Sequence, residues 1–469
     1  MGRAGRGRTD RQIVLQRQNQ LGQTLGAKGF ETRRRLLAAT SELLSTVPLT
    51  DLRVSQIVRL AQTSPGTFYV YFNDVYDVVL DLVGEVTQSP PKILDLFNEP
   101  WGGEGALRRA HEFVSMYLDH FQVHAALFRV RNLASDEGDM RFTRLRIAAV
   151  SPVIAAMAAR IEARKSAGLL PADIHPVSAS GALLAMIERL AALRFSPATR
   201  VGSAQLVDVA AFFAALLLAE GPIVLDKARA ARSPSVEDAA LYAPDRSDRR
   251  PPRNPNVNLH GQTIGAKGAK TRQKLMETAT QLLWEKPLLE ISVNEIAKRS
   301  NTSTSVFWIY FRDVLDVVHA IVVDITQSTP DLLEILNSDW TAANRTELSE
   351  RFVRRYIDNW RANRAPFRVR NMASDEGAVE FIQARHAAVE PLLEIIIRKL
   401  SARQAQGGEP LHLHPAAAAG GFMAMVERLS VTPHIGLSQE VTVDSVAKAA
   451  AYFLATLMAG PPPGAVVES

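Results

Sequence analysis

The chain of 469 residues contains no cysteine. Disulfides, thiolate zinc sites and thiol redox sensing are excluded, and the composition suits a reducing cytosol. No unbroken apolar run reaches the roughly 20 residues of a membrane span, and the run AAFFAALLLAEG is too short. The basic N-terminus MGRAGRGRTDRQ lacks the apolar stretch of a secretory signal. Period-two alternation of β-branched residues is rare, which argues against sheet. Phosphate loops, nucleophile elbows and zinc-ligand spacings are missing as well, so no enzyme, metal or cofactor is expected. His412 and His414 make one short His-x-His with no carboxylate nearby, which reads as loop. With 47% hydrophobic and 22% charged residues, the composition is that of a soluble globular chain, expected in the cytoplasm.

What the sequence does have, it has twice. FRVRNLASDEG begins at Phe128 and FRVRNMASDEG at Phe367, 239 positions later. QTLGAKG and QTIGAKG, DVYDVV and DVLDVV, Trp101 and Trp340, His175-Pro and His414-Pro, Glu188 and Glu427 all keep the same offset. A constant offset over that distance means two near-complete copies of a module of about 200 residues, far longer than the period of a solenoid.

Charge is unevenly placed. The net charge is +5, yet residues 1–35 carry nine Lys or Arg against two acids, and residues 240–274 eight against two. Positive charge thus gathers just before and into the first helix of each copy. Such arms favour phosphate tracking, because neutralised phosphates release condensed counterions. A solubilising tail is the competing reading.

Apolar periodicity predicts an all-α chain. A helix is expected from about Lys28 to Thr46, ended by Pro48, with Leu36, Leu43 and Val47 on one face. A short helix follows near Val54–Ala61, then TSPGTFYVYF, in which Ser64 is a good N-cap and Pro65 fits the first helical position. The second copy offers Ser303 as cap, and Ser292 with Glu295 at capping-box spacing. Longer helices are expected over Leu107–Gln122, Met140–Ala167, Val177–Leu193 and Ala204–Ala219. Two short helices joined by a tight turn after a longer one make a helix-turn-helix. In its second helix Phe68 and Phe72, or Phe307 and Phe311, share the buried face at i,i+4, leaving Thr67, Tyr69 and Tyr71, or Val306, Trp308 and Tyr310, to face outward.

LRVSQIVRLAQTSPGTFYVYFNDVYDVV and ISVNEIAKRSNTSTSVFWIYFRDVLDVV resemble the DNA-binding signature of the TetR family of bacterial repressors. The likeness covers about fifty residues per copy and rests on Ile296–Ala297, the serine-capped second helix and the aromatic FYVYF and FWIYF endings. It implies that Pro65, Gly66, Thr67 and Tyr69, and Thr304, Ser305, Val306 and Trp308, reach base edges. Ser55, Tyr71, Asn294 and Tyr310 are then phosphate contacts, joined by Lys28, Arg33, Lys267 and Arg272 from the first helices and by Arg53. There are departures from the family pattern. Gln62 and Asn301 stand where it has a turn glycine, Val75 and Val314 where it has a lysine opening the fourth helix, and Arg53 where a capping residue is expected. The basic arms would compensate for the lost lysines.

The resemblance further implies, after each DNA-binding part, a larger helical domain that encloses an apolar ligand cavity and dimerises through its last two helices. The expected organisation is a basic arm (1–23), a helix-turn-helix domain (24–83), a ligand-binding and dimerisation domain (84–220), a Pro-rich linker with a second basic arm (221–258), a second helix-turn-helix domain (259–322), a second ligand domain (323–460) and a tail (461–469). Phe128, Arg131 and Asn132, with Phe367, Arg370 and Asn371, read as a polar contact at a pocket mouth or as an internal salt bridge and cap near Asp136 and Glu137; we favour the latter. Glu188 and Glu427, each beside an arginine in an apolar helix, suggest an interface ion pair. The expected partners are double-stranded DNA with two unequal half-sites, a small hydrophobic ligand such as a fatty acyl compound or steroid, and the other copy within the same chain. The expected function is a ligand-responsive transcriptional repressor; the alternative is a small-molecule- or lipid-binding protein with a decayed DNA-binding part.

Overall fold

The computed structural model describes residues 20, 22–47, 49–86, 91–103, 105–136, 139–194, 201–225, 254, 256–326, 330–375, 377–407, 413–431 and 440–468. Pro48, most of the two basic arms, most of the linker and His412 lie outside them. The described residues form twenty α-helices, short 3-10 turns and one two-stranded parallel pair, β1 (Ile223–Leu225) with β2 (Val466–Glu468). The first ten helices are α1 (Ala27–Leu44), α2 (Val54–Leu60), α3 (Pro65–Tyr71), α4 (Val75–Val86), α5 (Pro91–Asp95), α6 (Gly105–Val123), α7 (Ala125–Asp136), α8 (Met140–Ser166), α9 (Pro176–Arg194) and α10 (Ser203–Leu218). The second ten are α11 (Ala266–Glu285), α12 (Val293–Arg299), α13 (Thr304–Tyr310), α14 (Val314–Thr326), α15 (Pro330–Asn337), α16 (Arg345–Ala362), α17 (Arg364–Asp375), α18 (Val379–Ala405), α19 (Pro415–Val431) and α20 (Val443–Ala459). Their starts follow the 239-residue offset of the sequence, two of them one residue late.

Several repeated texts are helix starts. In DVYDVV, Asp74 accepts from the Asp77 N–H at 2.7 Å while Asp77 accepts from the Asn73 N–H at 2.9 Å, a reciprocal cap on α4. Asp313 and Asp316 repeat it on α14, with Arg312 as the outer donor. In each His-Pro, the proline is the first residue of the helix and the histidine Nδ1 accepts a first-turn N–H, from Ser178 to His175 (3.3 Å) and from Ala417 to His414 (3.4 Å). His414 is therefore spent on a cap. Trp101 and Trp340 each donate Nε1 to a carbonyl of the preceding turn, of Leu96 and Leu336.

The chain divides into two compact units, residues 1–89 with 123–150 and residues 90–122 with 151–469. In the first, α1, α2, α3 and α4 enclose a core of Leu36, Ile57, Phe68, Phe72, Val78 and Val83, and α7 packs on α1 and α4. Burying such side chains supplies about 1.5–3 kcal/mol each. The expected face of α1 is turned slightly: Leu36, Leu37 and Leu44 are the deep residues, and Leu43 and Val47 only flank them.

The second unit holds α11–α14 around Leu275, Ile296, Phe307, Phe311, Val317 and Val322, with α17 and α18 adding Val369 and Phe381 to that core. It also holds α9, α10, α19 and α20, which pack together although two come from each copy. Phe213 and Phe453 meet there at 4.7 Å between ring centroids, and Ser178 Oγ lies 2.8 Å from Ser445 Oγ. Gly421 faces Leu190 and Val209 across the copies, where small residues permit close approach. Within α8, Val153, Met157 and Ile161 are fully buried. By length and composition α8 is apolar enough to cross a membrane, and about two-fifths of its apolar window, 39%, is buried within the fold.

Candidate nucleic-acid interface

In both copies a short serine-capped helix is pinned by two phenylalanines and turns the remaining side chains outward. Ser64 Oγ accepts from the Thr67 N–H at 3.2 Å, and Ser303 Oγ from the Val306 N–H at 3.3 Å. Phe68 and Phe72, like Phe307 and Phe311, are buried, and Tyr69 and Trp308 stand edge-on to Phe68 and Phe307. Tyr69 is 53% and Trp308 47% exposed. An aromatic half in water, on a helix whose neighbours are locked, is presented rather than packed. Pro65, Gly66 and Ser305 are exposed, and Thr67, Thr304 and Val306 are half-buried on the same helices.

The turn before each of these helices is left-handed. Gln62 has φ 51° and Asn301 φ 52°, the only non-glycine residues with positive φ among those described. Asparagine tolerates this region; glutamine adopts it at a cost.

Tyr71 and Tyr310 are half-buried against their cores. Their hydroxyls pass close to Gly29 and Gly268, the second glycine of each GAKG. A Cβ at Gly29 would lie 3.6 Å from the Tyr71 hydroxyl, and one at Gly268 3.0 Å from that of Tyr310. The chain entering each copy is tied to the end of the same helix. Gln20 donates its N–H to Val70 O at 3.0 Å and its amide to Tyr71 O at 3.2 Å, and Leu259 donates to Ile309 O at 2.9 Å. Each basic arm therefore joins the fold beside the candidate recognition helix, a placement that the sequence alone does not reveal.

The cationic candidates divide. Lys28, Lys267, Ser55 and Asn294 are exposed on α1, α11, α2 and α12. Arg53 is exposed; having no acceptor, its side chain cannot cap α2, and only the reverse half of a box forms, Gln56 accepting from the Arg53 N–H at 2.7 Å. Arg33 corrects the expectation of a phosphate contact: it is buried, ion-paired to Asp81 and stacked 5.5 Å from the Phe72 ring centroid. Burial nevertheless raises the Asp81 pKa. Arg272 likewise stacks on Phe311 at 5.4 Å and faces Asp324, so its guanidinium lies against its own domain. Glu295 forms only part of the expected capping box. Ser292 caps α12, but the Glu295 carboxylate goes to Lys286 at 2.5 Å and Arg299 at 3.6 Å.

FRVRN is a local motif carried on α7 and α17. Arg131 donates from Nε and Nη2 to Asn132 Oδ1 (3.3 and 3.1 Å) and lies 4.7 Å over the Phe128 ring. Arg370 does the same with Asn371 (3.0 and 2.9 Å) and Phe367 (4.6 Å). The side chain of Asp136 and all of Glu137 lie outside the described residues. In the second unit Arg370 also binds Glu427 at 2.6 Å, Arg385 binds the other Glu427 oxygen at 2.6 Å, and Arg189 of the first copy reaches it at 3.9 Å. These partners hold the Glu427 pKa down to about 2 against its burial. Beside them, burial and the Arg385 charge lower His386 to about 4. Arg385, Tyr356 and Trp360 were not legible as members, because two other helices, α18 for Arg385 and α16 for the two aromatics, carry them to the site.

The sequence profile described as the tetracyclin repressor-like C-terminal domain matches residues 95–216 and again 332–461, more than half the chain. No curated protein matches. Among solved structures, the fatty acid degradation regulator FadR from Bacillus halodurans is 14% identical, with a TM-score of 0.31 over 41% of this chain and 96% of that one.

Proposed function

The chain belongs to the TetR family of transcription regulators, with two units in tandem, and on that premise we propose that it is a cytoplasmic repressor reading an asymmetric operator and released from it by a small apolar effector. The observation that carries this reading is the pair of half-exposed aromatics, Tyr69 and Trp308, at one position of two otherwise equivalent helices. Members with two identical chains read palindromes. Here Thr67 faces the groove where the other unit has Val306, and Tyr69, a donor and acceptor, where it has Trp308, a donor only. Each altered base contact is worth about 1–3 kcal/mol of discrimination. Packing of α9 and α10 on α19 and α20 supplies within one chain the pairing that two chains otherwise provide. The linker keeps the second copy at an effective concentration of roughly millimolar.

Lys28, Lys267, Ser55, Asn294, Tyr71 and Tyr310 are the proposed phosphate contacts, with the arms in support. Footprinting on the duplex upstream of the protein's own coding sequence tests the reading. Two unlike half-sites at fixed spacing are expected; a perfect palindrome bound more tightly than any asymmetric site refutes it. Val75 and Val314, in place of the usual lysines, favour the second reading, a small-molecule-binding protein with a decayed DNA-binding part. That reading predicts no protection of any duplex.

A further inference from the structure

We propose that Lys267, Lys270 and Lys274 form a phosphate-tracking ridge on α11, by which the second copy grips duplex DNA beyond its own half-site. This rests on the reading of the chain as a DNA-binding regulator. It adds to that reading two residues, Lys270 and Lys274, a further length of duplex, and an unequal grip by the two copies.

Helical spacing makes the ridge. Residues at i, i+3 and i+7 share one face of a helix, and Lys267, Lys270 and Lys274 are all exposed. None of the three makes an ion pair among the described residues. The other face of α11 is turned inward: Leu275, Met276 and Ala279 are buried, and Arg272 stacks on Phe311 at 5.4 Å. The first acid of the helix, Glu277, stands one turn past Lys274 and accepts from Gln273 at 3.2 Å. The arrangement works against the helix that carries it. Cations early in a helix oppose its dipole, and like charges one turn apart repel. No acidic residue in the first turn and no side-chain cap at Gly265 offset them. A row of phosphates laid along the ridge reverses both effects.

The ridge starts at the proposed DNA-reading helix. Before α11 the chain folds back on itself. Val257 bridges Thr263, the Ile264 N–H donates to Asn256 O at 2.7 Å, and Asn258 Oδ1 accepts from the His260 and Gln262 N–H groups at 2.9 and 3.0 Å. The tip of this turn is fixed to α13 by the Leu259 N–H on Ile309 O. Gly268 then lies against the Tyr310 hydroxyl. Lys267, the residue before it, therefore opens the ridge beside the end of α13. At the helical rise, Lys274 stands about 10 Å further on, or about three phosphate steps of a DNA strand.

The first copy lacks this row. Its α1 has Lys28, Glu31 and Arg35 at the same positions, and Glu31 is ion-paired with Arg34 at 3.0 Å. An acid at the middle of the face interrupts it, so the extended grip is assigned to the second copy.

The test is fluorescence anisotropy of the full chain on the duplex upstream of its coding sequence, from about 50 to 300 mM salt, with footprinting alongside. Lys270→Gln with Lys274→Gln removes two charges and keeps good helix formers. Each phosphate contact contributes about 0.9 to the slope of log affinity against log salt, so the double variant is expected to lose about 1.8 and to bind about tenfold or more weaker near 100 mM. Its protection is expected to shorten by about three base pairs, at the half-site read by Trp308 only. Glu31→Lys, a gain in the other copy, is expected to steepen the slope by about 0.9 and lengthen protection at the half-site read by Tyr69. An unchanged slope and footprint in the double variant, with its thermal transition intact, is the behaviour of a solvated face and overturns the ridge. So does a double variant with a lower slope whose protection shortens equally at both half-sites. If the double variant fails to fold, Glu31→Lys decides: an unchanged slope overturns the ridge. Wild-type protein that binds no duplex at any salt refutes the regulator and the ridge together. Duplexes of unrelated sequence bound as tightly as the upstream one, with the slope still lowered in the double variant, support the ridge and refute the operator.

Discussion

The two GAKG texts are identical, yet alanine in place of their second glycine should act in opposite directions. At Gly268 a Cβ would lie 2.8 Å from Ile264 Cγ2 and 3.0 Å from the Tyr310 hydroxyl. The first is closer than real Cβ contacts, and a branched methyl on a β-branched residue has little freedom to yield. Overpacking of this kind costs about 1–3 kcal/mol, against a gain of about 1 kcal/mol from replacing glycine inside a helix. Gly268→Ala should therefore lose about 1 kcal/mol and push Tyr310 outward. At Gly29 the nearest atoms are Leu25 Cδ2 at 3.2 Å, Leu25 Cβ at 3.5 Å and the Tyr71 hydroxyl at 3.6 Å, and the closest is the flexible end of a leucine. Gly29→Ala should keep most of its helix gain, about 0.5–1 kcal/mol. The assay is hydrogen exchange on peptides covering α1 and α11, since a chain of two units is not a two-state system. Gly268→Ala should also weaken duplex binding by the loss of one phosphate hydrogen bond, about 0.5–1.5 kcal/mol, or roughly two- to tenfold in Kd. Exchange that slows at both sites, or slows at α11 and quickens at α1, refutes the reasoning.

Gln62→Gly should stabilise the first helix-turn-helix by about 0.5–1 kcal/mol, because relief of left-handed strain of about 1–2 kcal/mol exceeds the added backbone entropy; Asn301→Gly should change the second by a few tenths at most, and a larger gain at Asn301 than at Gln62 would contradict the assignment of strain. Acid should loosen the second unit in two stages. His386, held neutral with its pKa lowered from 6.5 to about 4, contributes stability that is complete above pH 6.5 and lost as pH falls through 4. Glu427, lowered from 4.5 to about 2, loses its contribution between those values. His386→Ile, the residue of the first copy at Ile147, should abolish the first stage, read as melting temperature against pH. Phe213→Ala, which opens the ring contact with Phe453 between the copies, should cost about 3–5 kcal/mol and make the α19 and α20 amides exchange faster. A Trp308→Tyr exchange should bring the two half-site preferences together at the affected base pair; unchanged footprints would show that these aromatics do not read sequence.

Much of the fold was legible because helices are local. Ser64, Ser303 and Ser292 announced caps, and the i,i+4 phenylalanines announced a buried stripe, since both signals act within one or two turns. The D-x-x-D boxes and the His-Pro caps are equally local; their signal is the repeated text itself, which also marks the duplication. Where a residue's partner lies far along the chain, neighbouring residues carry no signal of it. Arg33 and Arg272 look like free cations in a basic stretch, but each is turned onto its own core, Arg33 onto Asp81 some fifty residues on.

The sequence by itself determined that the chain is all-α, that it is doubled, and that each copy opens with a basic arm and a serine-capped helix bearing outward aromatics. Spacing, caps and periodicity are properties of consecutive residues, and a constant offset survives in text. Only the tertiary structure decided which charges remain free, that Gly29 and Gly268 differ in their tolerance, and that Glu427 gathers arginines from both copies. Those outcomes depend on which side chains meet across helices and on what burial costs a charge once they do, and neither is written in the order of the residues.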